Sequence, residues 1–142
     1  MDAVGGTASI LALIGFALQS TKTIYQAISG IKNGPEQVQK LASAVHNLQL
    51  VLEQISTCQA VKLAGPETNL KVITDLIEAC NKNVSRYENK LTKVRISLND
   101  KKVGKAWKKI KAVLQENDLQ RMWTEVNNHV AALGLQLNLL QS

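Results

Sequence analysis

Apolar residues return at alternating steps of four and three along nearly the whole of this chain, and that spacing decides its secondary structure. The first series is Ile10, Ile14, Ala17, Thr21, Ile24, Ile28 and Ile31, and the second is Val38, Leu41, Val45, Leu48, Leu52 and Ile55. The third runs through Leu70, Ile73, Ile77, Cys80, Val84, Tyr87, Leu91, Val94 and Leu98, and the last through Leu119, Trp123, Val126, Val130, Leu133, Leu137 and Leu140. Each series lies along one seam of an α-helix. No strand-like alternation of useful length interrupts them.

Two breaks between the seams share one signature. "NGPEQ" at 33–37 and "AGPET" at 64–68 each set Gly before Pro before Glu. Gly ends one helix, Pro starts the next in its first turn, and the carboxylate sits at the positive helix end. A turn around "SLND" precedes a short helix, and "END" at 116–118 caps the last one. The expected fold is all-α, a single domain over residues 1–142. It is an antiparallel bundle of four long helices, at about 7–32, 35–58, 67–98 and 118–140, plus one short basic amphipathic helix at about 101–115.

Length and composition agree with one helical core. A chain of 142 residues is about one domain, and 45% hydrophobic residues suit a soluble globular protein. Phe16, Tyr25, Tyr87, Trp107 and Trp123 are the complete aromatic set, so the core must be aliphatic. Cys58 and Cys80 are read as reduced, buried thiols, and Cys80 falls on the third seam.

The stretch "ASILALIGFALQ" at 8–19 belongs to an uncharged run from Ala3 to Thr21. It fails as a signal peptide because it begins Met1-Asp2 and meets its first cation at Lys22. Asp2 rules out N-myristoylation. As a permanent span it is marginal, since Gly5, Gly6, Thr7, Ser9, Gly15, Gln19 and Ser20 dilute the apolar residues. Yet Leu11, Leu13, Phe16 and Leu18 surround the axis off the seam. A helix apolar all round is buried on several sides or meets lipid. At 100° per residue Phe16 points about 160° from Ile14, alongside Ala12, Gln19 and Thr23.

Charge is concentrated elsewhere. From Lys82 to Lys111 eleven Lys or Arg face only Glu88 and Asp100, a net of +9 in a chain of net +6, which leaves −3 for the rest. A local basic patch implies a polyanionic surface. Within "DKKVGKAWKKIK", Val103, Ala106, Trp107 and Ile110 share one side of a helical wheel with Leu114, and Lys101, Lys102, Lys105, Lys108 and Lys109 spread over the other. Two readings stand together: the apolar side docks on the bundle, and the lysines are either solvated or meet anionic lipid head groups, each contributing about 1 kcal/mol near such a surface. Nucleic acid is the rival polyanion. The patch is almost all Lys and lacks base-reading Arg or Asn and interleaved aromatics, which leaves only nonspecific phosphate binding.

The sequence carries little catalytic chemistry. The sequence holds no phosphate-binding GxxxxGK[ST] loop, no His pair at metal spacing and no Cys cluster for zinc. His46 and His129 stand on different helices and read as partly exposed bundle residues. Asn83-Val84-Ser85 is a glycosylation-like triplet in mid-helix. The chain is expected to act by binding, without catalysis, metal or cofactor.

These residues carry a resemblance. "MDAVGGTASILALIGFALQS", "GPEQVQKLASAVHNLQLVLEQI" and "KAWKKIKAVLQENDLQRMWTEVNNHVAALGLQLNLL" together resemble the HeLo-like domain at the N-terminus of fungal STAND (NOD-like) immune receptors. The likeness rests on apolar patterning and the Trp of "KAWKKIK", and covers nearly the whole chain. It implies a helical bundle related to the HeLo domain of heterokaryon-incompatibility proteins and similar to the four-helix domain of the mixed-lineage kinase-like pseudokinase. It further implies a cytoplasmic cell-death effector that oligomerises and moves to the plasma membrane, with the N-terminal helix inserting. In receptors a nucleotide-binding domain and repeat sensor follow, so the chain is expected to be an excised effector domain or a stand-alone relative.

The expectations are therefore these. Ile10, Leu11, Leu13, Phe16 and Leu18 form a membrane-inserting set, and Lys101, Lys102, Lys105, Lys108 and Lys109 meet lipid head groups. Anionic lipid and further copies of the chain are the partners, with no specific nucleic acid. A protein-interaction or oligomerisation domain without membrane activity is the alternative, because the same seams serve packing within and between chains. The opening segment either leaves a resting bundle or stays as a central helix; Gly5, Gly6 and Gly15 ease release, each costing about 1 kcal/mol of helix propensity against Ala.

Overall fold

The computed structural model describes residues 7–29, 36–63, 70–97 and 116–141. Within them the chain forms α1 (Thr7–Ser29), α2 (Glu36–Thr57), a single turn α3 (Gln59–Lys62), α4 (Lys71–Ser97) and α5 (Glu116–Gln141). The fold is an all-α bundle of four long helices, as the seams require. The expected short helix at 101–115 lies outside the described residues, and so do both Gly-Pro-Glu corners apart from Glu36 and Gln37.

The seams face inward almost position for position. Ile10, Ile14, Ala17, Thr21, Ile24 and Ile28 of α1 are buried, as are all six second-seam residues of α2 and every third-seam residue from Leu70 to Leu91. On α5 the register drifts: Leu119, Met122, Val126, Leu133 and Leu137 are buried, while Trp123, Val130 and Leu140 are half-buried against them. A straight helix turns about 20° per heptad against a strict seven-residue repeat, so Met122 takes the inward place expected for Trp123.

The turn α3 was not expected from the sequence. The hydroxyls of Ser56 and Thr57 donate to the carbonyl of Glu53, at 2.7 and 3.2 Å, which satisfies an acceptor of the last turn of α2. Cys58 then adopts an extended backbone, with ψ of 127°. The chain re-enters a helical turn that buries Val61 completely. Val61 thereby adds an apolar residue to the core beyond the end of α2.

The four long helices occupy the corners of a square. α1 packs on α2 and α4, α5 packs on α2 and α4, and the diagonal pairs scarcely touch. Helix direction follows from paired residues. Asn81 Nδ2 donates to the Leu13 carbonyl at 3.1 Å and Ser20 Oγ donates to Glu88 Oε1 at 3.0 Å, both across 68 residues of sequence. A constant offset means that α1 and α4 run parallel. On the far side Glu36 faces Leu119, and Asn47 faces Asn127, so α2 and α5 are parallel as well. Across the α4/α5 boundary Asn83 meets His129 and Tyr87 meets Glu125, the reversed order of an antiparallel pair. Consecutive long helices reverse direction as expected, yet α4 lies beside α1 and not beside α2.

This arrangement puts the start of α1, the end of α2, α3, the start of α4 and the end of α5 at one end of the bundle. Two of these segments lack charge: α1 from Thr7 to Thr21, and α5 from Val126 onward.

Candidate functional site

The N-terminal half of α1 has two unlike sides. Ile10 and Ile14 are in the core, with exposures of 1% and 0%. Leu11, Leu13 and Leu18 lie half-buried against it. Phe16 is 63% exposed, with Ala12, Gly15 and Gln19 also exposed beside it. Ile14 and Phe16 thus lie on opposite sides as their angle predicts; of the five residues assigned to membrane insertion, Ile10 is packed inward, Leu11, Leu13 and Leu18 are half-buried, and only Phe16 is outward. A membrane role for Ile10 requires α1 to leave its neighbours.

What holds α1 in place is partly polar. Ser20 and Thr21 are buried on the helix, and Thr21 Oγ1 donates back to the Leu18 carbonyl at 2.9 Å. Ser20 and Leu13 are both bonded by α4, and such a hydrogen bond contributes about 1 kcal/mol net. Toward α2, the rings of Tyr25 and His46 meet with centroids 5.5 Å apart, tilted by 38°.

Further apolar surface collects at the same end. Leu63, at 80% exposed, and Val72, Leu135 and Leu139 are exposed large hydrophobics on the segments that meet there. None of the four lies on a seam. Leu135 and Leu139 stand four residues apart on the uncharged part of α5, the signal by which such a stripe is recognised. Among the described residues no helix is long and apolar enough to cross a membrane.

The contact between α4 and α5 is of another kind. Arg86 Nη2 donates to Asn83 Oδ1 at 2.7 Å, and Asn83 Nδ2 lies 2.7 Å from His129 Nε2. One turn along, Tyr87 Oη and Glu125 Oε1 are both buried, the phenol set against the carboxylate. Burial, and then the nearby Glu125 carboxylate, push the Tyr87 phenol well above its ordinary range, against a smaller opposing pull from Arg86. Burial holds His129 below the usual imidazole range, against the opposing pull of Glu125. Burial also pushes the Cys80 thiol up to about 12, so it is a core thiol and not a nucleophile. Asn83, the acceptor of the glycosylation-like triplet, is engaged in this contact.

A shallow groove of about 370 Å³ runs between α2 and α5, lined by Lys40, Ser43, Asn47, Trp123 and Asn127. It is open and carries no convergent charge. No cluster of His, Cys, Asp or Glu among the described residues could hold a metal ion. The five lysines assigned to head groups lie outside the described residues.

Residues 1–139 match the family model described as "Pigment biosynthesis cluster protein PigL N-terminal". The chain belongs to this family. The PigL N-terminal family is a HeLo-like helical domain family of fungi, which agrees with the resemblance at that coarser level. No curated protein and no solved structure matches the chain.

Proposed function

We propose that this PigL N-terminal domain is a membrane-acting effector that binds anionic lipid, self-associates and permeabilises the bilayer through α1. Within the HeLo-like group, this reading aligns the chain with the cell-death domains of fungal STAND receptors. The observation that carries it is the exposure of Phe16 on an uncharged half-helix whose opposite side is core. A solvent-facing aromatic beside exposed Ala12, Gly15 and Gln19 is not covered by the described residues, and amphipathic helices that lie in the bilayer interface present such residues to it. The apolar end formed by Leu63, Val72, Leu135 and Leu139 supports the same direction of approach.

Dye release from vesicles containing phosphatidylserine tests the reading. Release by the intact domain, lost in Phe16→Gln while helical content is retained, is the expected result. No release from any vesicle, with a concentration-dependent rise in mass, would overturn it in favour of an oligomerisation domain without membrane activity.

A further inference from the structure

We infer that the α4/α5 boundary is the line along which the bundle opens, and that His129 is its proton-sensitive latch. The four contacts around the square are not alike. α1/α2 is an apolar contact closed by Tyr25 on His46, whereas α4/α5 is the thinner of the two antiparallel contacts and sets buried Tyr87 with half-buried Asn83, Glu125 and His129 along it. Tyr87 Oη and Glu125 Oε1 are buried against each other there, and separation returns both to water.

The hydrogen-bond chain fixes which proton state closes the boundary. Arg86 occupies the Asn83 carbonyl oxygen, so the Asn83 amide must present its NH2 to His129, whose Nε2 can then only accept. Protonation at Nε2 sets two donors against each other at 2.7 Å, with the Arg86 guanidinium behind them. The groups that meet the ring are Glu125 on its own helix and Asn83 on α4; Arg86 is bonded to Asn83, and Tyr87, one turn along α4, faces Glu125. On α2, across the other side of α5, Glu36 and Lys40 line the groove at Trp123, six positions away on α5. Glu125 favours the charged ring, and burial together with the Asn83 donor opposes it. An imidazole held below its unfolded value stabilises the closed state above the ordinary histidine range. That contribution is lost as pH falls from about 6.5 toward the lowered value.

Cys80 reports the opening. It is 0% exposed and lies on α4 one turn from Asn83. With Cys58 replaced by Ser, its modification by a dipyridyl disulfide, which reacts in acid, measures how often the boundary parts. No lipid is involved, so failure here is separate from failure of the membrane reading. Between about pH 7.5 and about pH 5, modification should accelerate about tenfold more in the parent than in His129→Gln, whose amide keeps an acceptor near the Nε2 position and does not titrate. Asn83→Asp should reverse the sign, because its carboxylate accepts from a charged ring. Equal acid acceleration in parent and His129→Gln overturns the latch, as does acceleration in Asn83→Asp equal to the parent's. The second comparison decides if His129→Gln fails to protect Cys80 at neutral pH.

Discussion

Ile14 and Phe16 are two residues apart on α1, yet Ile14 is wholly buried and Phe16 is 63% exposed. The pair therefore separates what the helix does for the bundle from what it does for a partner. Ile14→Ala removes core atoms and should cost about 2 to 4 kcal/mol in chemical denaturation. Phe16→Gln should change stability by less than about 1 kcal/mol and remove most vesicle leakage. Equal destabilisation by the two would show that α1 is packed on both sides.

Gly15 stands between them on the exposed face, and a Cβ added there meets nothing within 4 Å. Gly15→Ala should therefore raise stability by about 0.5 to 1 kcal/mol through helix propensity alone. If α1 must loosen to reach lipid, the same variant should leak vesicles more slowly than the parent. A faster rate would separate leakage from the release of α1.

Tyr87 and Glu125 bury a phenol against a carboxylate across the α4/α5 boundary. Tyr87→Phe keeps the ring in the core but takes the hydroxyl away from a buried carboxylate oxygen, so the variant should be less stable than the parent by about 1 to 3 kcal/mol. An unchanged or higher melting temperature would show that the hydroxyl does not help to hold the boundary.

Leu135 and Leu139 are both exposed, so Leu135→Ser combined with Leu139→Ser should shift stability by less than about 1 kcal/mol. On the membrane reading it should also weaken vesicle sedimentation. Unaltered sedimentation would confine lipid contact to α1.

The basic segment is tested by charge alone. Replacing Lys102, Lys105, Lys108 and Lys109 with Gln should strongly reduce sedimentation with anionic vesicles, and binding by the parent should weaken as salt rises. Sedimentation of the variant equal to the parent's would make these lysines a solvated face.

Much of the fold was legible because heptad spacing reports burial directly: from Ile10 to Leu91 each seam residue that the structure describes is in the core. The exposure of Phe16 was legible for the same reason, being fixed by the angle from Ile14. Which helices become neighbours was not. A seam records that a side is covered but not by what, so the parallel pairing of α1 with α4 needed Asn81 on Leu13 and Ser20 on Glu88 to reveal it. The turn at α3 was hidden as well, since hydroxyls bonding back to carbonyls at Ser56 and Thr57 leave no mark in apolar periodicity. The polar contact of His129 with Asn83 joins residues 46 apart in sequence, beyond any local pattern.

The parallel pairing has a consequence for how such a domain can be extended. The hairpins α1/α2 and α4/α5 are related by a sideways translation, the relation between neighbouring repeats of an α-solenoid, and not by a rotation that closes upon itself. A stack made by translation has two different outer faces. Two-fold pairing of whole domains would use one patch twice and stop at two, whereas a further step of the same translation uses two unlike patches and contains no terminating number. In an assembly built that way, the small twist between successive hairpins sets the curvature of the stack and decides whether it ever closes on itself.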